Sequence, residues 1–188
     1  MHRRAFILTA AAFAASPALA QVGPEKPDEF AALAGDALTP LEKQTALFKQ
    51  QMKAMGYGGA DVFYELKGAA SPVRFSAASL PSFVVRAPAD LDPQERFGLF
   101  ELTISRNTRR LATGKVNPLG YGTRNTKAQS AVEFAAVRHG GDFFKLDPTA
   151  PLEPGEYALA VAPKLGNNTW GWGGRGGGNQ PVFAFGVD

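Results

Sequence analysis

The 188-residue chain contains no cysteine. That excludes a disulfide framework, a thiolate metal site and Cys-His chemistry. Histidine is nearly as scarce: beyond His2 there is only His139. A multi-histidine metal centre is excluded with it. A Ser-His-Asp triad would have to use His139, beside Gly140-Gly141 at an apparent hairpin turn, an exposed setting that suits a triad poorly. No Gly-x-Ser-x-Gly elbow and no Ser-x-x-Lys occurs. No apolar run approaches the about 20 residues that a membrane-spanning helix needs. An excess of charge is missing too: 20 Lys+Arg face 17 Asp+Glu, and without Arg3 and Arg4 the count is 18 against 17. Bulk charge therefore implies no partner.

What is present begins with an address. His2-Arg3-Arg4 is a basic head, Phe6 to Ala15 is apolar, and Ala18-Leu19-Ala20 is a small-residue cleavage site before Gln21. This layout predicts a secretory signal peptide over 1–20 and a periplasmic or secreted mature protein of 168 residues. Arg3-Arg4-Ala5-Phe6-Ile7-Leu8 resembles the twin-arginine export signal, with Leu8 where lysine is favoured; general secretion and twin-arginine export both stay open. The mature length suits one domain.

Residues 21–38, with Gly23, Pro24 and Pro27, read as a linker. Residues 39–56 read as an amphipathic helix. Thr39 is the N-cap, Pro40 the first helical residue, Glu42 completes a capping box, and Gly56 ends it. Leu41, Phe48, Met52 and Met55 form its apolar stripe, either capping the domain or serving as a partner surface.

After Gly59 the period becomes two. Val62–Leu66, Val73–Phe75, Phe83–Val85, Leu99–Ser105, Arg109–Ala112, Val132–Val137, Phe143–Leu146, Tyr157–Val161 and Val182–Val187 read as short strands separated by turn signals. Strands without intervening helices predict a mainly β domain over 60–188, an antiparallel Greek-key sandwich of about 7–9 strands. Leu152-Glu153-Pro154-Gly155-Glu156-Tyr157 resembles the tyrosine corner of immunoglobulin-like and fibronectin type III sandwiches, with one residue fewer between Leu152 and Tyr157. The resemblance implies a fold and a tyrosine hydroxyl bonded back to the chain. It implies no activity.

Three features bear on function. Gly171-x-Gly173-x-x-Gly176 matches the dinucleotide fingerprint in form, but Pro181 to Phe185 after it reads as a strand, so no helix N-terminus faces a phosphate. The loop is read instead as a connection whose Trp170 and Trp172 either fold back on the domain or offer faces to a sugar or apolar group, with Arg175 for an anion. Secondly, Leu102 to Ala131 holds no acid but carries Arg106, Arg109, Arg110, Lys115, Arg124 and Lys127, with Tyr121 among them. This predicts either a solvated basic edge or a contact for an anionic surface. Nucleic acid is not expected, for want of a recognised module. Thirdly, Glu65, Glu101, Glu133 and Asp142 are the candidates for a paired-carboxylate hydrolase, yet alternation puts the three glutamates on outward faces. Asp90-Leu91-Asp92 lacks the glycine and closing glutamate of a calcium loop.

The expectation is an exported, non-catalytic binding or assembly module of the bacterial envelope. It would act on a protein or anionic surface and need no cofactor or metal. A glycan-binding module and a carboxylate hydrolase are the alternatives.

Overall fold

The computed structural model describes residues 23–52, 60–116, 123–124, 131–162 and 178–188. Within them lie β1 (Phe30–Ala34), β2 (Ala37–Pro40), β3 (Glu42–Met52), β4 (Ala60–Lys67), β5 (Arg74–Phe75), β6 (Ser82–Arg86), α1 (Pro93–Arg96), β7 (Phe97–Ser105), β8 (Thr108–Val116), β9 (Thr123–Arg124), β10 (Ala131–Val132), β11 (Phe134–Arg138), β12 (Phe143–Pro148), β13 (Gly155–Val161) and β14 (Gln180–Val187). Eight of the nine expected strands are present; the ninth, Val132–Val137, is divided into β10 and β11, which join different sheets. The chain is mainly β with antiparallel pairing except where β5 joins β14.

The sheets are ordered β11-β12-β6-β1-β2 and β10-β7-β13-β14-β3-β4-β8-β9. In the second, β7 also pairs with β8 through Thr103↔Arg110, Ile104↔Arg109 and Ser105↔Thr108. That contact closes β7-β13-β14-β3-β4-β8 into a six-stranded barrel. Two open sheets were expected; a closed barrel with a five-stranded sheet packed on one wall is found. Closure removes edges that an open sheet would leave bare.

Two apolar clusters follow from this. Phe83, Val85, Phe144 and Leu146 from the five-stranded sheet meet Leu99, Tyr157, Leu159 and Phe185 from the barrel wall. Ala46, Tyr64, Leu66, Phe100, Leu111, Ala158 and Ala184 fill the barrel interior. Successive residues of β13 and β14 therefore alternate between two buried clusters, which is why these strands read as continuous apolar runs.

The region before Gly59 departs from the sequence reading. The expected linker contains β1 and the first half of β2, and the expected helix is the second half of β2 followed by β3, which is held between β14 and β4 over registers such as Ala184↔Glu42 and Leu47↔Glu65. Glu42, which was to complete a capping box, instead meets Arg109. The helical stripe dissolves: Leu41 is buried against the five-stranded sheet, Phe48 packs on the barrel cluster, and Met52 is 73% exposed. Met55 and the expected signal peptide lie outside the described residues. The helices of the described residues are a 3-10 turn, Ala77–Ser79, and the single α-helical turn α1, capped by Asp92, whose Oδ1 accepts from Gln94 N at 2.9 Å.

Candidate functional site

The barrel has two chemically different ends. At the lower end, where β3 and β13 begin and β7 and β8 turn, Arg109 points inward and is 0% exposed. Its Nη1 and Nη2 donate to Glu42 at 2.8 and 2.9 Å, and further bonds reach Gly68 O at 3.1 Å and Lys67 O at 3.0 Å. Nη1 also lies 3.4 Å from Glu156 Oε2. Glu156, itself buried, accepts from Ser71 N at 2.8 Å and from Arg74 Nη1 at 2.6 Å. Arg74 then clasps Asp188 at 2.6 Å. An unbroken chain of alternating charge thus runs Glu42–Arg109–Glu156–Arg74–Asp188.

Burial pushes the Glu42 carboxyl up, but hydrogen bonds from Arg109, Ser71 and Gln44 outweigh it and hold the group below its ordinary value. Asp188 is likewise held low by its bonds to Arg74. Every member of the chain has a partner of opposite sign, so this end closes the barrel. Buried charges survive only when paired and hydrogen-bonded in this way.

The expected basic surface is thereby divided. Arg109 belongs to the interior, not to a surface. Arg110 takes the outer wall, 4.4 Å over the Phe63 ring, 3.2 Å from Gln51 Oε1 and 3.5 Å from Glu65. Adjacent strand residues face opposite sides, so one of any two neighbouring arginines on a two-faced strand must turn inward. Arg106 is exposed at the β7–β8 turn. Arg124 pairs in register with Lys115 near the other end of β8. The eight steps from Thr108 to Val116 put about 26 Å between them.

The upper end is defined by strand termini. Met52 of β3 pairs with Ala60 of β4, and Ala60 with Val116 of β8. Val161 of β13 pairs with Phe97 of β7, and Ala160 with Val182 of β14. The ends of β3, β8 and β13 and the starts of β4, β7 and β14 therefore share this side. Trp170, Trp172, Arg175 and Tyr121 lie outside the described residues. The strands that lead to and from them, β13, β14, β8 and β9, open here. β14 is the strand that was expected to follow the glycine-rich stretch.

The candidate acids are scattered. Glu65 lies on the outer wall, where the Lys49 hydrogen bond holds its carboxyl low. Glu101 is exposed on β7, Glu133 precedes β11, and Asp142 and His139 are exposed in the β11–β12 turn. His139 N donates to Phe143 O at 2.8 Å. Among the described residues no group of three or more His, Asp or Glu converges as a metal site. A cleft of about 380 Å³ lies where the chain passes from β2 to β3, between Phe30, Leu38, Leu41 and Phe183. Its rim carries Lys43 and Glu29, paired with each other at 2.5 Å.

Sequence reasoning missed Glu42, Ser71, Arg74 and Glu156 as one unit. The legible signal was Glu156, a charge at the head of the uninterrupted apolar run Tyr157-Ala158-Leu159-Ala160. Comparison of the chain with protein-family models, curated proteins and solved structures finds no match.

Proposed function

We propose that the protein is an exported, non-catalytic binding or assembly module of a bacterial envelope, and that it contacts a partner protein or anionic surface through the upper end of the barrel. The observation that supports this is the shared position of the strand ends: the termini bracketing the tryptophan stretch and the basic, tyrosine-containing stretch lie together. The lower end offers less, because its arginines Arg74 and Arg109 are already neutralised. Export rests on the three-part layout of residues 1–20. A likeness of the packed sheets to immunoglobulin-like sandwiches is supported by Tyr157 Oη, which donates to Glu153 O at 2.8 Å in the expected corner.

The test is adsorption of the mature protein to acidic liposomes and to envelope fractions at low and high salt. Arg124→Ala with Arg175→Ala weakens salt-sensitive binding, while Arg106→Ala, at the opposite end, leaves it unchanged. Equal loss in both variants refutes the upper-end assignment. The second reading, a glycan ligand, is favoured by the two tryptophans of the β13–β14 connection. It predicts that polysaccharide capture disappears in Trp170→Ala with Trp172→Ala while the melting temperature holds.

A further inference from the structure

The five-stranded sheet ends in β2 and β11. β2 is short and finishes at Pro40, two features that blunt an edge. β11 contains no proline, and its ladder runs past both ends of the strand. Thr149 N donates to Glu133 O at 3.0 Å, and His139 N to Phe143 O at 2.8 Å. These bonds fix the parity: residues 133, 135, 137 and 139 turn their backbone groups towards β12, and Phe134, Ala136 and Arg138 turn theirs away from the sheet. The outward carbonyl of Phe134 accepts from Gln94 Nε2 at 3.3 Å; no described strand pairs with the outward groups of Ala136. The side chains follow the same parity. Phe134 and Ala136 pack on the core, while Glu133, Ala135, Val137 and His139 are exposed, Val137 to 59%.

We propose that β11 pairs antiparallel with β11 of a second copy about a two-fold axis at Ala136, joining two five-stranded sheets into one. The outward backbone groups dictate this register. Ala136 meets its own counterpart, and Phe134 meets Arg138 of the other copy, with the Phe134 carbonyl released by Gln94. The positions between them are non-hydrogen-bonded pairs, where side chains approach closest. There Glu133 falls opposite His139 at both ends of the ladder, and Ala135 falls opposite Val137 inside them. A carboxylate thus faces an imidazole twice, and the exposed Val137 gains an apolar neighbour. Moving the axis to any other residue from Phe134 to Arg138 separates Glu133 from His139. This self-complementarity selects a second copy over an unrelated strand. The proposal does not depend on the barrel-end reading, since β11 belongs to the other sheet.

An interface of this length falls in the weak, concentration-dependent class. Sedimentation velocity of the whole chain over a concentration series is the test, with dimer growing at the expense of monomer. In Ala136→Pro the lost N–H points away from β12, so the existing ladder is kept and the new one loses its centre. The expected result is a monomer with its melting transition retained. Should that variant fail to fold, Glu133→Lys and His139→Glu each weaken association roughly tenfold by placing poorly matched groups opposite each other. The double variant restores it. A chain that stays monomeric throughout the series overturns the proposal, as does association indifferent to these substitutions or a charge swap that restores nothing.

Discussion

Replacing Arg109 with methionine tests the ion chain at the lower end of the barrel. The substitution keeps much of the side-chain length and removes the guanidinium. Glu42 then loses the two guanidinium donors, at 2.8 and 2.9 Å, and keeps Gln44; the Gly68 carbonyl loses the Arg109 Nε donor, while that of Lys67 keeps Gln44 Nε2 at 3.1 Å. Glu156 keeps Ser71 and Arg74, so the damage concentrates on Glu42. Removing one partner of a buried pair costs about 3–5 kcal/mol. At roughly 2–4 °C per kcal/mol for a domain of this size, the melting temperature falls by about 6–20 °C. Arg110→Met is the control one residue away; its partly exposed pair with Glu65 and its place over Phe63 are worth about 1 kcal/mol or less. Thermal and urea denaturation of the two variants read the difference. Equal losses, or a loss below about 0.5 kcal/mol for Arg109→Met, refute the assignment of a buried, coupled arginine. The acid limb gives a second check. A carboxyl held low in the folded state binds fewer protons there than in the unfolded state. Its stabilisation is complete above the ordinary value of 4.5 for Glu42 and is lost as pH falls through the folded value. In Arg109→Met the lowering by Arg109 is lost and only Ser71 and Gln44 still oppose burial at Glu42, so acid unfolding begins at higher pH than in the parent.

Three further outcomes follow from local geometry. A Cβ on Gly186 would lie 2.2 Å from Arg74 Nη1, so Gly186→Ala displaces the Arg74 guanidinium from Glu156 and lowers stability by about 1–3 kcal/mol in urea denaturation; an unchanged midpoint counts against the contact. Tyr157→Phe removes the 2.8 Å bond to Glu153 O and costs about 1 kcal/mol by the same measurement, and a neutral result means the corner is held by packing alone. Arg106 has a φ of 56° at the β7–β8 turn, where Arg106→Asn relieves left-handed strain and raises the melting temperature by a few degrees, about 1 kcal/mol; a fall would show that the arginine side chain itself steadies the turn.

Alternation was a reliable guide wherever one strand face met water or a single core. It located β4 to β8, β11 and β12, with turn residues such as Ser71-Pro72 and Gly140-Gly141 marking breaks in the chain. β13 and β14, buried on both faces, were legible as unbroken apolar runs, and β10 was not separated from β11. It failed over β3 for a definable reason. Inward positions there are Glu42, Gln44, Ala46 and Phe48, so two of four are polar and the period of two is erased. Those polar residues face inward because Glu42 meets Arg109, 67 positions away, and Gln44 meets Glu42 and the Lys67 backbone. Local propensity then favoured a helix, and tertiary pairing with β14 and β4 overrode it. Closure was illegible for a similar reason, since it depends on how three residues of β7 find three of β8 while the rest of β7 pairs elsewhere. The basic window is continuous in composition, but Arg109 and Arg110 part in space, because a strand sends neighbours to opposite sides.

The alternation of β13 and β14 between the two buried clusters makes these strands a party wall. Neither the barrel nor the sheet packed on it can melt while the other keeps its shape, since each would lose the wall that defines it. Unfolding should be a single cooperative transition seen alike from Tyr64 and from Tyr157, and tolerance to substitution should be lowest along Glu156–Ala160 and Val182–Val187.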